Sequence, residues 1–175
     1  MAEEILQVVD EHDQPIGGAT RKELKTKGLR YRIVRISVED VAGNVVIQKR
    51  VSTKDTYPNC WDNSAAGHVD EGEDYLDAAK RELAEEIGLV DVELEEVNYY
   101  YSETVAQGGL ILNRFTKIYK TVVDPNTKFT AQPEEVSEIT WMTKFQIAEH
   151  VAKGDISDGL LQSWERYYSI HDEYN

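Results

Sequence analysis

Residues 67–89 constrain this chain more than any other stretch. They read Gly-His-Val-Asp-Glu-Gly-Glu-Asp-Tyr-Leu-Asp-Ala-Ala-Lys-Arg-Glu-Leu-Ala-Glu-Glu-Ile-Gly-Leu. Leu76, Ala79, Leu83 and Ile87 recur at helical spacing and predict a helix over 74–87 with one apolar face. Asp74 suits the start of that helix as a cap, and Gly88 suits its stop. At about 100° per residue, Glu82 and Glu86 fall about 40° apart on one flank of the apolar face. Glu85 lies on the same flank, farther round, with Arg81 at the i, i+4 spacing. Three carboxylates thus crowd one stripe beside a core-facing surface. Like charges so placed repel, and a solvated helix face is the plain reading of such a triplet. The chemical reading is compensation by a hard divalent cation, Mg²⁺ or Mn²⁺, which prefers carboxylate oxygen. Arg81 then orients Glu85. Gly67 lets the backbone pass close to a metal or phosphate, so that its carbonyl can join the ligands.

The flanking sequence mixes strands and helices without strict alternation. Strands are predicted over 5–10, 30–39, 45–51, 64–69, 92–101, 110–123 and 138–142. Gly17-Gly18 reads as a break, and 52–63 as a loop. Thr20 and Glu23 form a capping box that opens a short helix ending at Gly28. Thr143 and Gln146 form a second, opening a helix to about residue 153. A last amphipathic helix is predicted over 157–170, with Leu160, Leu161, Trp164, Tyr167 and Tyr168 on its apolar side. No repeat or linker interrupts 1–175, so we expect one α/β domain with a central mixed sheet between helices. The aromatic side chains Tyr99, Tyr100, Tyr101, Phe115, Tyr119, Trp61 and Trp141 are expected mainly in the core.

Charge narrows the function. Acids outnumber bases by 33 to 19, for a formal charge of −14, which argues against a nucleic-acid partner. An anionic small molecule remains compatible if divalent cations stand between it and the acids. No apolar run approaches the roughly 20 residues of a membrane span, so no membrane partner is expected. The acidic N-terminus is unlike a secretory signal. The single cysteine, Cys60, precludes a disulfide framework and a cysteine-built zinc site, so a cytoplasmic location is the simplest expectation.

The segment resembles the box of the Nudix hydrolases. The family pattern is Gly, five residues, Glu, seven residues, Arg-Glu, an aliphatic, any residue, Glu-Glu, any residue, Gly, an aliphatic. Gly67, Glu73, Arg81, Glu82, Leu83, Glu85, Glu86, Gly88 and Leu89 fill all nine specified positions. The resemblance implies a Nudix-type α/β/α sandwich and water-driven cleavage of a nucleoside diphosphate derivative or a related organic diphosphate. It implies that Glu82, Glu85 and Glu86 bind Mg²⁺ or Mn²⁺ with the Gly67 carbonyl. It gives Arg81 and Glu73, with Gly88 at the helix end, the task of holding loop and helix together. Glu82 is the first choice of general base, and Glu134 or Glu135 in a downstream turn the second, because other family members place their base in such a loop. A homodimer is compatible with the family.

The flanks, Gly43-Asn-Val-Val-Ile-Gln-Lys-Arg50, Lys54, Pro58, Trp61-Asp-Asn-Ser-Ala-Ala-Gly-His68 and Asp10-Glu-His-Asp-Gln-Pro-Ile-Gly17, look like the isopentenyl-diphosphate isomerase branch of that family. The isomerases need a cysteine just before the box glycine, where this chain has Ala66. Their acid on a later strand falls at Arg114, and one of their histidines at Tyr31. The resemblance therefore points to a hydrolase, with an isomerase or a non-catalytic diphosphate sensor as alternatives. Lys49, Arg50, Lys54 and His68 are candidate substrate contacts, and the basic run Arg21, Lys22, Lys25, Lys27, Arg30, Arg32 and Arg35 can steer anions.

Overall fold

The computed structural model describes residues 3–106 and 108–170. Strand β3 (Arg30–Glu39) is the hub. On one edge it runs parallel to β8 (Ile111–Val122) along its whole length, and β8 pairs antiparallel with β7 (Glu95–Val105). On the other edge, residues 33–36 pair with β6 (Ala65–His68). Strand β4 (Val45–Arg50) meets β3 only at Glu39 and Val45, then splays away to pair with β5 (Trp61–Asp62) and β9 (Val136–Met142). The sheet is mixed, and it opens into two wings where β3 and β4 part.

Helix α2 (Tyr75–Ile87) covers one face. Leu83, Ile87, Ala78 and Ala79 bury against Val34, Ile36, Val38 and Val46. Helices α3 (Lys144–Lys153) and α4 (Asp158–Ser163) cover the other, packing Ile147 and Leu160 on Val45, Ile47 and Ile118. Helix α1 (Arg21–Lys27) closes a smaller cluster with the hairpin of β1 (Ile5–Val9) and β2 (Pro15–Thr20), burying Leu24, Leu6 and Tyr31. This is the expected α/β/α arrangement. The helix ends follow local chemistry: Thr20 and Thr143 head complete capping boxes, Asp74 caps α2, and Gly28, Gly88 and Gly154 end three helices in the left-handed conformation.

Several local expectations fail: Tyr99 and Tyr101 are exposed, not in the core, because they lie on the open face of β7, and β5 falls inside the loop expected over 52–63. Gly17 and Gly18 lie inside β2, paired with Val8 and Gln7, because the ladder to β1 outweighs their poor strand propensity. A Cβ at Gly18 would overlap Ile5 and Glu71. Leu76 is 37% exposed; Tyr75 is buried in its place, with its hydroxyl donating to Asp13 Oδ2 at 2.8 Å. The final helix is α-helical only to Ser163 and then widens into a π-helical turn, Trp164–Tyr168. That turn aims two adjacent tyrosines at β3: Tyr167 donates to Glu39 at 2.8 Å and Tyr168 to Ser37 at 2.9 Å.

Candidate active site

Burial of Leu83 and Ile87 sets the roll of α2, and this brings Glu82 and Glu86 against β6. The approach is close enough to require Gly67: a Cβ there would overlap the Glu82 carboxylate. Glu82 is nearly buried, and burial pushes its carboxyl up to about 7 against the opposing pull of Arg81. Glu86 accepts from Gln48 Nε2 at 2.6 Å and from the Ala66 backbone N–H at 3.3 Å. Its carboxyl is pushed up to about 8, first by burial and then by the charge of Glu82. Glu85 is exposed.

Arg81 ties the arrangement together. Its Nε and Nη2 donate to the two oxygens of Glu73, each at 3.0 Å. Nη2 also donates to the His68 carbonyl at 2.9 Å, and Nη1 to Glu82 at 2.8 Å and Glu85 at 3.4 Å. The bond to Glu73 is the largest of several effects that keep the guanidinium protonated. Glu73 accepts in turn from the Asp70 N–H at 3.0 Å, so the loop before α2 is locked to the helix. Gly88 ends α2, its N–H donating to the carbonyls of Leu83 and Ala84.

The other expected residues divide between the faces. Lys49 points away from α2, its ammonium 5.1 Å from the Trp61 ring centre. Arg50 donates to Asp62 at 3.1 Å and to the Thr56 carbonyl at 3.1 Å. Lys54 forms an ion pair with Glu135, and the charge of Glu86 acts on it. Gln132 donates its N–H to the Glu86 carbonyl at 3.0 Å, which brings the turn holding Glu134 and Glu135 to the end of α2; Glu134 is exposed. His68 sits next to Gly67 but faces the opposite side of the sheet, stacked on Tyr31 at 5.5 Å, with Nδ1 3.2 Å from Arg21 Nη2. Burial and the cations Arg21, Lys25, Arg114 and Arg81 hold its ring down to about 3, so it is neutral. Sequence reasoning missed Gln48. Strand alternation was the available signal, since Val46 and Gln48 share a face and Val46 enters the core beneath α2.

Among the described residues, no three His, Cys, Asp or Glu side chains already converge on one point. Arg81 holds one oxygen of Glu82, and the donors of Gln48 and Ala66 take Glu86, so the carboxylates fan apart toward N–H groups. The donor set nonetheless fits a hard divalent cation: a buried carboxyl at Glu82 packed on Gly67, a half-buried one at Glu86, both raised chiefly by burial, and an exposed third at Glu85.

The NUDIX domain model matches residues 29–160. The chain belongs to the Nudix family. This Nudix chain is 32% identical to an uncharacterised Nudix hydrolase of Yersinia pestis over 82% of its own length and 75% of that protein's. It is 33% identical to an isopentenyl-diphosphate delta-isomerase of Photorhabdus laumondii over 83% of its length and 80% of the relative's, in keeping with the branch resemblance. Its fold matches a crystal structure from Deinococcus radiodurans with a TM-score of 0.76, covering 94% of this chain and 99% of the other at 24% identity. As a member of this hydrolase family, the protein is a diphosphate-cleaving enzyme of a class that generally uses divalent cations. Among the described residues, no helix is long and apolar enough to cross a membrane.

Proposed function

We propose that the chain hydrolyses the diphosphate linkage of a nucleoside diphosphate derivative or related organic diphosphate with Mg²⁺ or Mn²⁺. The observation that carries this reading is the carboxylate pair on one flank of α2: Glu82 is buried against Gly67, and the half-buried Glu86 lies beside it at the Ala66 N–H. Glu82, Glu85, Glu86 and the Gly67 carbonyl would hold the cation. When bound, it neutralises phosphoryl charge and makes an attacking water more acidic. Glu82 is the base we assign, its carboxylate held by Arg81 beside Gly67. Glu135 is a weaker candidate, being engaged by Lys54. Arg81 positions Glu82 and Glu85 and joins them to the loop through Glu73 and His68. Lys54, on which the charges of Glu86 and Arg50 act, and Arg50 would meet substrate phosphates.

The isomerase relative motivates a second reading, but this chain's residues oppose it. Ala66 provides no thiol where the branch resemblance requires one, and Arg114 is a cation paired with Asp158 where it requires an acid. Glu86→Gln separates the readings. In a Mg²⁺ or Mn²⁺ screen over nucleoside di- and triphosphates, nucleotide sugars, dinucleotides and isopentenyl diphosphate, we expect cleavage of at least one compound. The substitution should lower kcat on the order of 10²–10³-fold with an unchanged circular dichroism spectrum. Wild-type turnover in Glu86→Gln would sink the site assignment, and allylic isomerisation would overturn the hydrolase reading.

A further inference from the structure

On the face of the sheet opposite α2, a second cluster gathers charge of the other sign. Register places Tyr31 beside Arg114 and Ile33 beside His68, so all four side chains share the face roofed by α1. Arg21 and Lys25, one helical turn apart on α1, reach over it: Arg21 touches the His68 ring, and the charges of Arg21 and Arg114 both act on Lys25. Arg114 is 7% exposed. Its Nη2 donates to Asp158 at 3.0 Å, while its buried Nε has no partner among the described residues. A buried guanidinium N–H without an acceptor is uncommon and costly, and a guanidinium cannot shed its proton to relieve it. The remaining acids are few. Asp158 is shared with Gln162, Asp55 is the last of the charges acting on Lys25, and Glu4 lies 3.9 Å from Arg21 at the exposed rim. The charges of both Arg21 and Glu86 act on Lys54, together with those of Arg50 and Asp55, so Lys54 links the basic cluster to the acidic flank electrostatically.

We propose that Arg21, Lys25 and Arg114 form an anion site for a phosphate group carried by the substrate in addition to its diphosphate. Arg and Lys donors gathered at one acceptor-poor spot, from the exposed Arg21 at its rim to the buried Arg114 at its base, are the chemistry that selects a phosphate monoester. The His68 ring, stacked on Tyr31, walls the site. The preferred substrates are therefore organic diphosphates whose non-reacting half bears a further phosphate. This deepens the hydrolase reading and rests on it for turnover, though not for binding.

The binding arm needs no metal and no turnover. Inorganic phosphate is titrated in EDTA into the wild-type chain and into Arg21→Ala/Lys25→Ala while amide shifts are followed. We expect saturable shifts centred on Tyr31, His68 and Arg114, and about tenfold weaker binding in the variant with an unchanged Tm. No saturable shift, or equal affinity in the variant, overturns the site. The turnover arm compares matched pairs in Mn²⁺: NADP⁺ with NAD⁺, and coenzyme A with dephospho-coenzyme A. The phosphorylated member should have the higher kcat/KM by about tenfold, and the double variant should lose that preference. Equal kcat/KM within each pair overturns the specificity. Absence of all turnover counts against the hydrolase reading, while the metal-free titration still decides the anion site.

Discussion

The acidic flank of α2 and the basic cluster beneath α1 lie on opposite faces of one sheet, a single residue apart along β6. Gly67 meets the first and His68 the second. Each crowds like charges, but they relieve the crowding differently. The carboxyls can take up protons, and burial drives Glu82 and Glu86 to do so near neutral pH. Arg81 adds a fixed cation in their midst. The guanidinium of Arg114 has no such recourse, so its charge stays and one N–H goes unanswered. A proton can be exchanged for a metal; an unanswered guanidinium N–H is best met by a charged acceptor such as a phosphate oxygen. One side of the sheet is thus prepared for a divalent cation, and the other for a phosphate.

The contrast can be broken at several points. The largest effect after loss of Glu86 is expected from Gly67→Val, whose side chain must displace Glu82. A shift of about 1 Å at a catalytic group costs on the order of 10²-fold, so kcat should fall by about that much. Full activity in this variant would mean that the Glu82 position does not matter. Arg81→Lys keeps the charge but cannot bridge Glu73, His68 and Glu82 together. Mn²⁺ affinity, read by calorimetry, should drop about 10- to 100-fold, and wild-type affinity would show that Arg81 is not a positioning residue.

A third test uses pH. Glu82 and Glu86 keep their protons in the fold up to about 7 and about 8, but from about 4.5 in the unfolded chain they release them. Their folded values are raised, so the unfolded state binds fewer protons across that window. Metal-free stability should be full below about pH 4.5 and fall, by a few kcal/mol, as pH rises to about 8. Denaturant titrations in EDTA would show this, and Mg²⁺ should restore the loss most at the alkaline end. A flat profile would deny the burial of uncompensated charge. The smallest effect belongs to Lys49→Ala. Its ammonium rests on Trp61, on the far side of β4 from α2, so kcat/KM should change less than about threefold and stability by about 0.5–1 kcal/mol. A loss of tenfold or more in kcat/KM would place Lys49 back among the phosphate contacts.

Much of the acidic half was legible because it is local. Capping residues at Thr20, Asp74 and Thr143, and glycine stops at Gly28, Gly88 and Gly154, act within one turn of chain, and the structure has all six. The period of Leu83 and Ile87 places Glu82 and Glu86 on one flank before any fold is known. Local reasoning fails where a neighbour far along the chain decides. Gly17 and Gly18 became strand because β1 offered a ladder. Leu76 lost its core position to Tyr75, which Asp13 holds by its hydroxyl. The π-helical turn at Trp164–Tyr168 follows from partners on β3.

By itself, then, the sequence determined the family, the helix that carries the carboxylates, and the residues at its flank, since all of these are set by spacing along about two dozen residues. Only the tertiary structure decided that Glu82 presses on Gly67, that Gln48 answers Glu86, and that Lys49 turns away. It alone brought Arg21, Lys25 and Arg114 together from a helix and a strand almost ninety residues apart. The reason is physical. Helical periodicity is a property of the covalent chain, whereas which charges meet across a sheet depends on strand register and on the packing that fixes it.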